Sequence, residues 1–113
     1  MARPSRVKVG PFVYKIQFMK GGLEKHEFFK KGRTKTYALG MFVGQHGLIL
    51  INTEQAEEQQ KETLLHELMH ACAYVSSGNG IDDEESAISS ISPTLWAVLR
   101  DNPRVTKWIL DSD

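Results

Sequence analysis

From Glu54 to Ser76 the chain reads EQAEEQQKETLLHELMHACAYVS, polar and acidic at first and then apolar at helical spacing. At about 100° per residue, Leu64, Leu68, Cys72 and Val75 fall on one side, and Leu65 and Met69 widen that stripe. His66, Glu67 and His70 fall opposite it. Asn52 or Thr53 can cap the helix, the early glutamates suit the positive end of its dipole, and Gly78-Asn79-Gly80 supplies a stop. A chain of 113 residues has room for one core, so a single domain over 1–113 is expected. The stripe must face that core.

The flanking segments point to an α+β fold. Between Phe12 and Met19, Tyr14, Ile16 and Phe18 alternate with Lys15 and Gln17, the two-residue period of a half-buried strand. Gly21-Gly22 turns the chain, and the charged segment from Leu23 to Thr36, anchored by Phe28-Phe29, reads as either a second strand or a loop. YALGMFV and LILI flank Gly44-Gln45-His46-Gly47, the pattern of a hairpin with a four-residue loop. Residues 1–11 are basic and punctuated by Pro4, Gly10 and Pro11, so they read as a mostly irregular arm with a short extended piece at Val7 to Val9. Downstream, Ile88, Ile91, Leu95 and Leu99 line one face of a helix between Asp83 and Asp101, which Pro93 should kink or divide. Asn102-Pro103 then opens a short last helix through Leu110. The expected architecture is a small antiparallel sheet packed on the central helix and on one or two C-terminal helices.

The chemistry sits within KETLLHELMHACAY. Residues four apart on a helix share a face, with Cβ atoms about 5–6 Å apart, so His66 and His70 can aim an imidazole nitrogen each at one ion. That spacing suits zinc. Glu67 leans over the same site and can take a proton from a metal-bound water without ligating the metal. The alternative is a helix that carries two surface histidines. Against it stand the glutamate at the required place and a run from Leu64 to Val75 that is apolar almost all round, where three ionisable groups would cost several kcal/mol unless a cation pairs them. A catalytic zinc site takes three protein ligands. The candidates for the third are His26 in a charged segment, His46 at the hairpin tip, and the acidic cluster Asp82-Asp83-Glu84-Glu85. Glu84 and Glu85 stand within a turn of Ile88 and can project from the buried face of the next helix, so a carboxylate is favoured.

Composition closes off other classes. Fourteen basic against fourteen acidic side chains give no net field for nucleic acid or an anionic membrane, so neither is expected as a partner. No segment approaches the roughly 18 apolar residues of a membrane span, and the first dozen residues lack a signal-peptide core; a cytoplasmic location is expected. Cys72 is the lone cysteine, which rules out an intramolecular disulfide and a multi-cysteine zinc knuckle.

TLLHELMHACAY, followed by a short gap, an acidic helix start and LWAVLRDNP, resembles the small metallopeptidase-like proteins encoded by bacteriophages and prophages, a minimal branch of the gluzincins with a zincin-like fold. The resemblance covers Leu48 to Pro103. It implies that a strand precedes the HExxH helix and that a glutamate near the start of the next helix, three residues before an apolar position, completes the zinc site. Registered on LWAVLRDNP, that glutamate is Glu85, with Ile88 after it. Pro93 departs from the pattern, since the family keeps that helix continuous.

The expected function is peptide-bond hydrolysis by a zinc-bound water, with Glu67 as general base and then proton donor to the leaving amine. Tyr74, one turn beyond His70, can stabilise the oxyanion or simply pack in the core. The partner expected is a protein or peptide substrate, in the host cytoplasm if the chain is phage-encoded, paired along the strand from residue 48 to 51. The competing class is a non-catalytic, zinc-stabilised binding module that grips a host or phage protein. Glu67 discriminates: a structural site needs four ligands and no base.

Overall fold

In a computed structural model, residues 2–21, 39–77 and 84–111 are described, with the backbone alone for Ser77, Glu84, Glu85 and Ile88. The short extended piece expected at Val7 to Val9 is present, and it is a paired strand rather than part of an irregular arm. Arg6–Val9 forms strand β1, because Val7 and Val9 alternate with Arg6 and Lys8 and are buried to 1% exposure or less. A tight turn at Gly10-Pro11 returns it antiparallel to β2 (Phe12–Met19), with Val9 opposite Phe12 and Arg6 opposite Lys15. Gly10 has φ +58°, and the fixed φ of Pro11 follows, the order that a two-residue hairpin turn of type II′ requires.

β3 (Gly40–Val43) and β4 (Leu48–Asn52) form the expected hairpin across a 3₁₀ turn at Gly44–His46, closed by the left-handed Gly47. The sheet they complete is mixed rather than antiparallel. Its order is β1-β2-β4-β3, and β4 runs parallel to β2 with Ile16 opposite Ile49 and Phe18 opposite Ile51. The physical reason lies in LILI. A strand apolar at every position needs both faces covered and both edges paired, so it takes an interior place. Ile49, Leu50 and Ile51 are all wholly buried. The strand from residue 48 to 51 is therefore not an edge, and β3 is the outer strand on that side among the described residues.

One face of the sheet carries three helices: α1 (Glu57–Ser77), α2 (Glu84–Asp101) and α3 (Pro103–Leu110). Val7, Val9, Tyr14, Ile16, Ile49 and Ile51 meet Leu64, Leu68, Ala71 and Cys72 of α1, Val98 of α2, and Val105 and Trp108 of α3 in one cluster. At about 1.5–3 kcal/mol for each large side chain removed from water, this cluster is the main source of stability. Met41 and Leu50 form a smaller cluster on the opposite face. Val75 is half-buried against the main core, but Met69, at 41% exposure, lies outside the buried stripe.

Asn52 does not cap α1. It ends β4, and its Oδ1 accepts hydrogen bonds from the Gly21 and Glu54 amides at 3.0 and 2.9 Å, which sets the turn before the helix. Glu57 and Glu58 occupy the first helical turn, as the dipole favours. Pro93 neither divides α2 nor ends it. Pro93 and Ser89 are exposed, so water can serve the Ser89 carbonyl that loses its helical donor, and the Thr94 hydroxyl lies 3.4 Å from the Ser90 carbonyl. Asn102 precedes the first-turn Pro103 as expected, yet its side chain does not cap α3. Instead Asn102 acts as a strand surrogate on the outer edge of β1: its Oδ1 accepts from the Lys8 amide and its Nδ2 donates to the Lys8 carbonyl, both at 2.9 Å. The expected Gly78-Asn79-Gly80 stop, the Leu23–Thr36 segment, and His26, Asp82 and Asp83 lie outside the described residues.

Candidate metal centre

The two long sides of α1 meet different surroundings. Leu64, Leu68, Ala71 and Cys72 are wholly buried, and the turns that connect them carry His66 and His70 out to solvent. The expectation that all three ionisable groups would be buried therefore holds for Glu67 alone, at 7% exposure. The two histidine rings stand 4.9 Å apart between centroids, inclined at 73°, and their Nε2 atoms approach to 3.2 Å. Two nitrogen ligands at about 2.0–2.1 Å from one tetrahedral zinc stand roughly 3.3 Å apart. The pair thus fits one ion with its side chains as they lie, and its exposure leaves a route for the ion to enter.

The Glu67 carboxylate lies in the gap between α1 and β3. A Cβ built on Gly40 would lie 2.6 Å from Thr63 Cγ2, 3.1 Å from Glu67 Oε2 and 3.2 Å from the Leu50 carbonyl oxygen. Gly40 is thus a close-approach glycine, and the carboxylate rests where a side chain on β3 would otherwise be. The wall continues through hydrogen bonds. The Thr63 hydroxyl donates to Gln55 Oε1 at 3.0 Å, and Gln55 Nε2 donates to the carbonyls of Leu39 and Asn52 at 3.0 and 2.8 Å. Gly40, Thr63 and Gln55 were not singled out from the sequence. The available signal was a glycine inside a strand-like run, which marks a bulge or a close backbone approach.

Tyr74 is half-buried and packs edge-on to Phe42, with ring centroids 5.6 Å apart. Phe42 in turn lies 5.5 Å from Tyr14. A Cβ on Gly44 would come within 3.0 Å of Tyr74 Cζ and Cε2, so the hydroxyl end of the ring abuts the start of the 3₁₀ turn. Burial, with the neighbouring Tyr74 second, pushes the Tyr14 phenol above its ordinary value. Burial pushes the Cys72 thiol up to about 11, which makes it an inert core residue rather than a ligand.

Glu84 and Glu85 are the first two residues of α2, as expected, but their side chains lie outside what is described. Among the described residues no three His, Cys, Asp or Glu side chains gather into a metal-holding group. His46 is exposed at the hairpin turn. No helix among the described residues is long and apolar enough to cross a membrane.

Residues 8–87, well over half of the chain, match the family Peptidase_M78, described as the IrrE N-terminal-like domain. No curated protein and no solved structure matches.

Proposed function

The chain belongs to the Peptidase_M78 family of IrrE N-terminal-like domains, and on that premise we propose that it is a zinc-dependent peptidase centred on His66, Glu67 and His70. The observation that carries the reading is the 3.2 Å approach of the two Nε2 atoms beside a buried glutamate. His66 and His70 would hold the ion, with Glu85 at the start of α2 as the third ligand. When bound, zinc supplies a Lewis acid that acidifies water and polarises a carbonyl.

The protein's own groups do the rest. Glu67, held against Gly40 and Thr63 and out of bulk solvent, accepts the proton of the attacking water and returns it to the leaving amine. The Tyr74 hydroxyl is the proposed donor to the oxyanion. β3, the outer strand next to Glu67, takes the place of residues 48–51 as the strand along which an extended substrate would pair. A module held by zinc for structure alone has no use for a buried base, and Glu67 weighs against it.

Elemental analysis after exhaustive dialysis tests the metal: one zinc per chain is expected, and full retention by the H66A/H70A double variant would overturn the reading. Incubation of the zinc-loaded protein with a bacterial lysate, followed by mapping of new peptide termini, tests the reaction. Cleavage that persists unchanged in Glu67→Gln would assign the activity elsewhere.

A further inference from the structure

The sheet has a second surface that the zinc site does not use. On the face of the β1–β2 hairpin turned away from the helices, Arg6 lies directly opposite Lys15, and Lys8 lies opposite Val13. All four are exposed, Val13 at 60%, whereas the alternate residues Val7, Val9, Tyr14 and Ile16 are buried in the core. Like charges directly opposite each other across antiparallel strands repel. Neither Arg6 nor Lys15 has an ion pair among the described residues. Asp101 is the acid that senses Lys8, and Arg100 already holds it through two hydrogen bonds of 2.9 and 3.2 Å. The main chain of Lys8 is fixed on one side by β2 and on the other by Asn102, so these cations stand on a rigid platform. Among the described residues, Glu57, Glu58 and Glu62 are exposed on α1, away from this face.

We propose that this face docks a carboxylate-rich segment of a protein partner, with an apolar side chain of the partner seated on Val13 between the cations. Charge complementarity supplies the attraction, and the exposed valine supplies a place for an apolar residue. The size of the patch favours a peptide over nucleic acid. Its two cross-strand pairs lie about 7 Å apart along the strands, enough for one or two carboxylates, whereas a duplex binder neutralises roughly six to ten phosphates. The surface is on the opposite side of the sheet from α1, so docking there is independent of whether the histidines hold zinc.

Fluorescence anisotropy with a labelled Glu-Ser-Val-Ser repeat peptide tests this, beside a Lys-Ser-Val-Ser control peptide and a labelled DNA duplex. The full chain should bind the acidic peptide, more weakly as salt is raised, and not the basic one. Arg6→Glu should weaken binding by roughly tenfold or more while leaving the melting temperature unchanged or higher, because it removes a docking charge and creates an attractive pair with Lys15. Lys15→Glu should do the same from the other strand and serves if the first variant fails to fold. Three results would each overturn the proposal: no peptide binding at concentrations on the order of 0.1 mM, equal binding by the charge-reversed variants, or tighter binding of the duplex than of the acidic peptide.

Discussion

Leu64, Leu68, Ala71 and Cys72 on one side of α1 are shut from solvent, whereas His66 and His70 on the other stand exposed, with Glu67 buried against β3. One helix therefore meets three environments within two turns. The apolar side is held by the sheet and by α2 and α3, and its energy does not depend on an ion. The histidine side should contribute little to the metal-free fold, since substitutions of exposed side chains usually cost little. Stability and the proposed chemistry should thus be separable by substitution along a single helix, except at Glu67, where the two meet.

The sharpest break in that separation should come at Glu67. Glu67→Gln keeps the shape and hydrogen-bonding capacity of the side chain but cannot take a proton at neutral pH, so peptide hydrolysis should fall by about 10²- to 10⁴-fold with zinc content unchanged. Turnover assays on a cleaved peptide, paired with metal analysis, check it. Leu68→Ala, one position along, should do the reverse. It removes a wholly buried side chain and should cost about 3 kcal/mol or more, a fall in melting temperature on the order of 10 °C, in metal-free and metal-loaded protein alike.

Gly40→Ala probes the seam between the two regimes. The added methyl has to displace Thr63 Cγ2 and crowds the Glu67 carboxylate, and overpacking of this kind costs roughly 1–3 kcal/mol. Adding Thr63→Ser, which removes the closer of those two obstacles, should restore much of the stability in a thermal melt. If the single variant melts like wild type, α1 is not packed this closely against β3.

Smaller effects sharpen the core side. With its thiol held protonated up to about 11, folded Cys72 binds its proton more tightly than the unfolded chain does. Its contribution is complete below the ordinary thiol value of 9.0 and is lost as pH rises from there through about 11, so stability should decline across that window. A thiol reagent at pH 8 should label Cys72 only in denaturant. The smallest effect should be that of His70→Ala on the metal-free protein, within about 0.5 kcal/mol of wild type. Urea titration would show it, and a larger loss would mean that the histidine side carries packing energy.

The α1 stripe, the β3–β4 hairpin and the Pro103 helix start were legible because each rests on a local rule: a period of 3.6 or 2, a glycine turn, a proline at the first helical position. The histidine pair was legible for the same reason, since i and i+4 meet on any helix. Placement of β4 beside β2 is not legible locally, because strand order is decided by which strand most needs covering, and pairing a substrate along residues 48–51 overlooks that the unbroken apolar character of LILI argues for the interior. The extended piece at Val7 to Val9 is legible in its alternation, but its pairing with β2 is not, because Gly10-Pro11 is equally the punctuation of a loop and the hairpin turn between Val9 and Phe12. The seat of Glu67 depends on Gly40, Thr63 and Gln55, residues from three separate segments that no spacing rule connects.

The bond between Asn102 and Lys8 joins positions 94 apart in the chain. During synthesis the hairpin can pair β1 with β2 early, but the other side of β1 keeps an open amide and carbonyl until Asn102 has left the ribosome. An unpaired strand edge is a template for other chains. The outer edge of β1 therefore stays open to a neighbouring chain for as long as residues 9 to 101 are being made, and Asn102 closes it.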